Sequence, residues 1–355
     1  MTHVNELSAK LKKGQAILVL SQKNRLYLTR FESGDAGTII ITPEKAYFLI
    51  DFRYIEKAKE CVKDCEVIMS ENLKEQIGEI ISRHQITEVF TETDYITMTQ
   101  FKTYKELLAP ATLSDDDCFN KEILALRRIK TRDELDAIKK AQKLTDETFT
   151  YILPKIKEGV TERELALDME MYMRSRGSEG VSFDFIVVGG ENSSLPHGVP
   201  TDRPFKKGDF ITMDFGAVID GYHSDMTRTV ALAPITDEQK RVYETVLKAQ
   251  TAALEMMKAG VTCKEADTTA RNIINEAGYE GRFGHGLGHS VGVEIHESPA
   301  CNQRCTLPLI EGDIMTVEPG IYLEGEYGVR IEDMVYVTKD GVINLTESEK
   351  ELILL

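Results

Sequence analysis

Four acidic residues and a glycine-rich run of histidines, all in the C-terminal half of the chain, are the side chains whose types and settings could do chemistry. Phe210-Ile211-Thr212-Met213-Asp214-Phe215-Gly216-Ala217 reads as an apolar strand with one carboxylate at its heart. Burying a lone carboxylate costs several kcal/mol, so Asp214 is paired, protonated or metal-bound unless it sits at a strand end facing water. Eleven residues later, Tyr222-His223-Ser224-Asp225-Met226-Thr227-Arg228-Thr229-Val230 places Asp225 in a second β-like run. The link between them contains Asp220-Gly221, a strong hairpin signal. Hairpin pairing brings Asp214 and Asp225 opposite one another or makes them near neighbours on one face. Two like charges about 4 Å apart repel by about 4 kcal/mol at an effective dielectric of about 20. The pair therefore asks for a cation, with hydrogen bonding by Arg228 as the structural alternative.

Five of the seven histidines lie between residues 197 and 296 (His197, His223, His285, His289, His296), whereas His3 and His84 stand apart without a partner pattern. Three of the five share Gly284-His285-Gly286-Leu287-Gly288-His289-Ser290-Val291-Gly292-Val293-Glu294-Ile295-His296-Glu297. Its glycines defeat a regular helix, which excludes the helical motif with two ligands flanking a Glu. Further on, Ile314-Met315-Thr316-Val317-Glu318-Pro319-Gly320 and Gly328-Val329-Arg330-Ile331-Glu332-Asp333-Met334-Val335 each embed a Glu in an apolar strand. Taken singly, each Glu could be an exposed strand residue. Together the four carboxylates carry four negative charges, which two divalent cations neutralise and one does not. Oxygen-rich sites with one imidazole suit manganese, cobalt or iron, and zinc less exclusively. Two metals bridged by carboxylates is the reading that balances charge.

The elements that must position these residues follow from pattern. Residues 122–355 carry a long helical pattern over 123–152, interrupted near 129–134, where Thr131 and Glu134 fit a capping box. Gly159-Val160-Thr161-Glu162-Arg163-Glu164 recurs about a hundred residues later as Gly260-Val261-Thr262-Cys263-Lys264-Glu265. Each copy stands between two helices and precedes ligand-bearing strands, which suggests a duplicated half-domain. An antiparallel sheet backed by helices is the natural α+β architecture. Residues 1–121 read as a smaller α/β unit without a chemical motif. Strands are expected over 15–20 and 88–91, a hairpin over 38–42 and 46–50 around Pro43-Glu44-Lys45, and a helix over 73–84. The polar stretch Ser114-Asp115-Asp116-Asp117 precedes a boundary placed near residue 121.

Composition excludes several classes. A net charge of −16 argues against non-specific nucleic-acid binding. No apolar run approaches the roughly 20 residues that span a bilayer, so no membrane partner is expected. The first seven residues lack the basic and apolar regions of a signal peptide, and the expected location is the cytoplasm. The six cysteines have no C-x2-C pair and no histidine at zinc-finger spacing, and they read as reduced thiols.

The run from His285 to Glu297, the Asp-hairpin-Asp and the two strand glutamates, in that order, resemble the pita-bread metallopeptidases, specifically the Xaa-Pro aminopeptidases and Xaa-Pro dipeptidases (prolidases). The resemblance covers roughly residues 122–355, and the first domain looks like the creatinase-type N-terminal domain. It implies a curved antiparallel sheet of duplicated half-domains with helices outside. It implies that Asp214 binds one metal, His289 and Glu318 the other, with Asp225 and Glu332 bridging both. His197 and His296 match substrate-contacting histidines that are not ligands, Arg330 matches an active-site arginine, and His285 belongs to the run without being a ligand. The implied cofactors are two divalent ions, manganese foremost, with cobalt, zinc or iron as alternatives. The implied chemistry is attack by a metal-bridged hydroxide on the carbonyl preceding proline, with Glu318 moving the proton and His197 and His296 stabilising the oxyanion. Peptide or dipeptide substrates with proline second, and a homodimer, complete the expectation. Three rival readings are a methionine-aminopeptidase-like enzyme, creatinase-like hydrolysis on the same fold without metal, and a non-catalytic peptide-binding homologue. The complete first domain weighs against the first and the intact ligand positions against the other two.

Overall fold

The computed structural model describes residues 2–355, which form two units meeting at Arg127 and Arg128. The first unit holds strands β1 (Gln15–Val19), β2 (Thr38–Ile41), β3 (Ala46–Ile50), β4 (Glu66–Met69), β5 (Glu88–Thr91) and β6 (Thr112–Leu113). They form one mixed sheet in the order β4-β3-β2-β1-β5-β6. Helices α1 (His3–Lys10), α2 (Gln22–Thr29), α3 (Ile55–Cys61), α4 (Leu73–Arg83) and α5 (Met98–Leu107) accompany it. The expected hairpin is β2–β3, and Thr42 closes its turn by donating through both N–H and Oγ1 to Lys45 O, at 2.9 and 2.8 Å. Crossovers through helices leave β3/β4, β1/β5 and β5/β6 parallel. Helix α6 (Cys118–Arg128) ends at the unit boundary, and residue 121 lies inside it.

The second unit begins with α7 (Arg132–Ile152) and α8 (Glu162–Ser175). Strands β7 (Ile186–Gly189), β8 (Phe210–Phe215), β9 (Val218–Ile219), β10 (Tyr222–His223) and β11 (Met226–Ala231) follow. Its later part has α9 (Asp237–Met256), α10 (Cys263–Ile274), β12 (Gly288–Ser290), β13 (Glu297–Cys301), β14 (Ile314–Val317), β15 (Gly320–Leu323), β16 (Tyr327–Arg330), β17 (Asp333–Val337) and β18 (Val342–Asn344). The sheets run β11-β8-β7 and β13-β12-β14-β17-β18, all antiparallel, with β9/β10 and β15/β16 as separate hairpins. Thr131/Glu134, Thr161/Glu164 and Thr262/Glu265 all form capping boxes, each worth about 1 kcal/mol of helix stability. Two more, Thr97/Gln100 and Thr236/Gln239, were not singled out in the sequence.

The duplication is repeated in backbone detail. Gly159 donates to Phe205 O and Phe205 to Val160 O, both at 2.9 Å. Gly260 donates to Leu309 O and Leu309 to Val261 O, both at 2.8 Å. Each pair is followed by a left-handed glycine, Gly208 at φ 88° or Gly312 at φ 100°. Next comes an aspartate gripped by arginine, Asp209 by Arg203 and Asp313 by Arg128. Five residues beyond each aspartate stands an acid of the site, Asp214 or Glu318.

Strand parity explains why those acids are not on the helix side. Ile211, Met213 and Phe215 of β8 pack with α7 and α8, as do Met226 and Val230 of β11. Met315 and Val317 of β14 pack with α9 and α10, as do Ile331, Val335 and Val337. Side chains alternate faces along a strand, so Asp214, Asp225, Glu318 and Glu332 fall on the face opposite these core side chains. A one-residue register slip in any of these strands would turn its acid towards an apolar core.

Candidate metal centre

Asp220 and Gly221 both adopt positive φ, 52° and 75°, and make the β9–β10 turn anticipated from their sequence. The register opposes Asp214 to Thr227, so Asp225 is its diagonal neighbour on the same face. The approach of the two arms leaves no room for a side chain at Gly216, where a Cβ would lie 1.9 Å from Ser224 O. Oxygens of Asp214, Asp225 and Glu332 lie within 4.8 Å of one another. His289 Nε2 is 3.5 Å from both Asp225 Oδ2 and Glu318 Oε1. Its Nδ1 is 3.1 Å from Ser290 O, and donation there leaves the Nε2 lone pair aimed at the carboxylates. The five residues expected to hold metal are therefore brought together from β8, β12 and the ends of β11, β14 and β17.

Electrostatics states what the cluster lacks. At an effective dielectric of about 20, each close pair of ionised carboxylates repels by about 3–4 kcal/mol. Arg330 donates to Asp214 Oδ2 at 2.6 Å, which still leaves four carboxylates and one guanidinium three charges negative. Burial, then Glu332, Asp214 and Glu318, pushes Asp225 well above the carboxylate range. Burial followed by Glu318 and Asp214 does the same to Glu332, and burial pushes Glu318 up to about 8. Asp214 Oδ1 and Glu332 Oε1 are buried without any hydrogen-bond partner. Their companion oxygens are engaged, Asp214 Oδ2 by Arg330 and Glu332 Oε2 by Thr227 Oγ1 at 2.8 Å. Unsatisfied buried carboxylate oxygens beside a neutral imidazole fit hard-to-borderline divalent cations. Among the described residues no other group of three acids, cysteines or histidines is this close, and all six cysteines are free thiols.

The arginine alternative resolves differently from its sequence form. Arg228 stands opposite Met213, so parity turns it away from Asp214. It bonds Asp333 Oδ1 at 2.7 Å and the carbonyls of Thr227 and Glu332. The guanidinium on the acidic face is that of Arg330. Besides Asp214, it bonds Thr227 Oγ1 at 3.0 Å, Tyr322 Oη at 2.8 Å and Pro196 O at 3.2 Å, next to His197.

Tyr322 is the site residue the sequence reasoning missed, and its signal was a tyrosine on the apolar strand four residues past Glu318. It lies 2.8 Å from His285 Nε2, while His285 Nδ1 is 2.9 Å from Gly286 O. Burial, then Arg330, lowers His285 to about 4, so it is neutral and accepts from Tyr322. His285 thus supports the arginine rather than facing the acids. Burial, then His296, lowers His289 to about 4 as well. A cavity of about 740 Å3 opens over the acids, and His197, His296 and Arg330 all line it. The His296 ring lies 4.3 Å from that of His289. His223 is not among the lining residues, and its N–H instead holds Gly292 O at 2.9 Å.

With this geometry in hand, comparison with known proteins is specific. Residues 136–339 match the model of metallopeptidase family M24, and residues 7–129 match that of the creatinase/prolidase N-terminal domain. A peptidase of Bacillus subtilis is 40% identical over 340 residues, covering 96% of this chain and 95% of its own. The structure of an Xaa-Pro dipeptidase from Bacillus anthracis superposes with a TM-score of 0.92 at 37% identity, covering 99% of both chains. That of an X-Pro aminopeptidase from Thermotoga maritima superposes at 0.89 with 34% identity, covering 96% of this chain and 95% of that one.

Proposed function

The chain belongs to metallopeptidase family M24, and from that premise we propose that it hydrolyses the bond between an N-terminal residue and a following proline. The observation that carries the metal part of this reading is the pair of orphaned oxygens, Asp214 Oδ1 and Glu332 Oε1, inside a buried acidic cluster. Two divalent ions, manganese foremost, would be held by Asp214 on one side and by His289 and Glu318 on the other. Asp225 and Glu332 would be shared. Such ions supply Lewis acidity and lower the pKa of water towards neutrality.

The remaining work falls to this chain's side chains. Glu318 accepts the proton of the attacking water and passes it to the departing proline nitrogen. His197 and His296 face the cavity and donate to the carbonyl oxygen as it gains charge. Arg330 holds Asp214 and, through Pro196 O, the loop bearing His197. Proline offers no N–H, so the ring must be recognised by shape, and Phe185, Ile186, Val199 and Ile295 give the cavity its apolar wall.

The relatives named above include both a dipeptidase and an aminopeptidase, and substrate length separates the two. Manganese- or cobalt-loaded protein is expected to release the N-terminal residue from Xaa-Pro dipeptides, from Xaa-Pro-Yaa tripeptides, or from both, and to stop on chelation. Full activity after exhaustive metal removal would refute the metal mechanism. No cleavage of any Xaa-Pro peptide by loaded protein would refute the substrate. We further propose a cytoplasmic homodimer that acts on free peptides, a reading supported by the family resemblance, while the −16 charge weighs against nucleic acid as a partner. A monomeric mass in light scattering would overturn the dimer.

A further inference from the structure

Behind the two histidines that meet over the acids lies a buried ion pair that does not face the substrate cavity through its cation. Lys130 occupies the turn between α6 and α7, one residue before the helix cap Thr131. Its side chain is 1% exposed and that of Glu297 is 4% exposed. The ammonium donates to Glu297 Oε2 at 3.1 Å, to Ser290 Oγ at 3.3 Å and to Arg128 O at 3.4 Å. Ser290 directly follows His289, and Glu297 directly follows His296. One nitrogen therefore ties together the residues next to both rings, which themselves lie 4.3 Å apart at 65°.

The segment between the histidines is wrapped around the same carboxylate. A Cβ at Gly292 would lie 2.4 and 2.5 Å from the two Glu297 oxygens, so only glycine admits that carboxylate against the loop. Glu297 Oε1 accepts the Glu294 N–H at 3.3 Å. The β12–β13 register shifts between His289 and Ser290, so ladder pairing alone does not set the spacing of the two rings. A buried ion pair stabilises a fold no better than apolar side chains of like volume. What it adds here is direction, because a single ammonium fixes oxygen positions on both strands.

We propose that Lys130 is a positioning residue: through Ser290 and Glu297 it sets the spacing of His289 and His296, and turnover depends on it although it does not line the cavity. The kinetic half of this rests on the activity proposed above; the structural half does not. Lys130→Met is expected to lower kcat on the order of 10- to 100-fold, as changes behind metal-site ligands do, with KM changed less than about threefold. Lys130→Arg should recover part of the loss. The single Met variant removes the ammonium from beside the Glu297 carboxylate, so Lys130→Met/Glu297→Gln is made beside it to remove both charges. The double variant is expected to fold as the parent does and to keep the low kcat. A double variant with parental kcat would overturn the proposal, since the pair would then serve only to satisfy its own charges. The second readout needs no turnover. In metal-free protein, the imidazole NMR contact between His289 and His296 should weaken and both ring shifts should move in Lys130→Met and in the double variant. Unchanged ring signals would overturn the clamp. A parent inactive on every Xaa-Pro peptide would overturn the assigned activity and leave the ring measurement to decide the clamp.

Discussion

Removing the metal should make this protein's stability fall as pH rises from 6.5 to 8. The perturbation is exhaustive chelation, and its magnitude follows from Glu318. Burial pushes that carboxyl from 4.5 to about 8 in the folded chain. A carboxyl whose folded pKa is raised is bound to its proton more tightly by the folded state. Its contribution is fully present below the unfolded value and is lost as pH climbs towards the folded one. Each decade is 1.36 kcal/mol, so Glu318 alone accounts for about 2 kcal/mol between pH 6.5 and 8. Asp225 and Glu332 are raised as well and pull the same way. His285 and His289, both lowered to about 4, act oppositely. They lose stability as pH falls from about 6.5 towards 4, outside the chosen window. For a unit spanning residues 128–355, a change of about 2 kcal/mol moves Tm by about 4–8 °C. Cations in the site favour the ionised carboxylates and should flatten the curve. The assay is calorimetry of chelated and manganese-loaded protein at half-unit pH steps. A chelated Tm that stays level or rises from pH 6.5 to 8, or a loaded protein that declines in parallel, would refute the reasoning.

Three further outcomes follow from the same geometry. Asp225→Asn removes a carboxylate that faces both His289 and the Asp214/Glu332 pair, and elemental analysis should find fewer than two bound metal equivalents. His197→Ala, which lines the cavity outside the acid cluster, should retain its metal and lose on the order of 100-fold in kcat, the lower range for a proton- or oxyanion-handling group. Gly288→Ala places a Cβ 2.1 Å from the backbone oxygen of Thr316. Backbone cannot yield as a side-chain tip does, so denaturant titration should show a loss of about 3 kcal/mol, together with weaker metal binding through the adjacent His289.

Much of the site could be read from the chain because its signals are local. Asp220-Gly221 takes the positive φ values that few other pairs tolerate, and that turn alone puts Asp214 and Asp225 on one face. Thr131, Thr161 and Thr262 cap their helices through a residue three positions on. The strand glutamates follow from alternation, which parity fulfils on both halves. A second repeat signal went unread: Gly208-Asp209 and Gly312-Asp313 stand at the same distance before Asp214 and Glu318. It was legible, since a left-handed glycine and a gripped aspartate recur at a fixed offset.

Partner choice over long range was not legible. Arg228 and Arg330 lie in similar apolar strands, yet one turns to Asp333 and the other to Asp214 and Tyr322. Strand pairing decides this, and a register shift of one residue would exchange their faces. Lys130 meets Glu297 across 167 positions, and Thr227 meets Glu332 across 105. By itself the sequence determined which residues are able to bind metal, where the turns and caps fall, and that two similar halves follow one another. Only the tertiary structure decided that the five ligand candidates share one buried space, that two of their oxygens go unsatisfied, and which cation stands behind which acid. Turns and caps are settled by neighbours a few residues away, whereas these contacts exist only once strands from both halves have paired and packed.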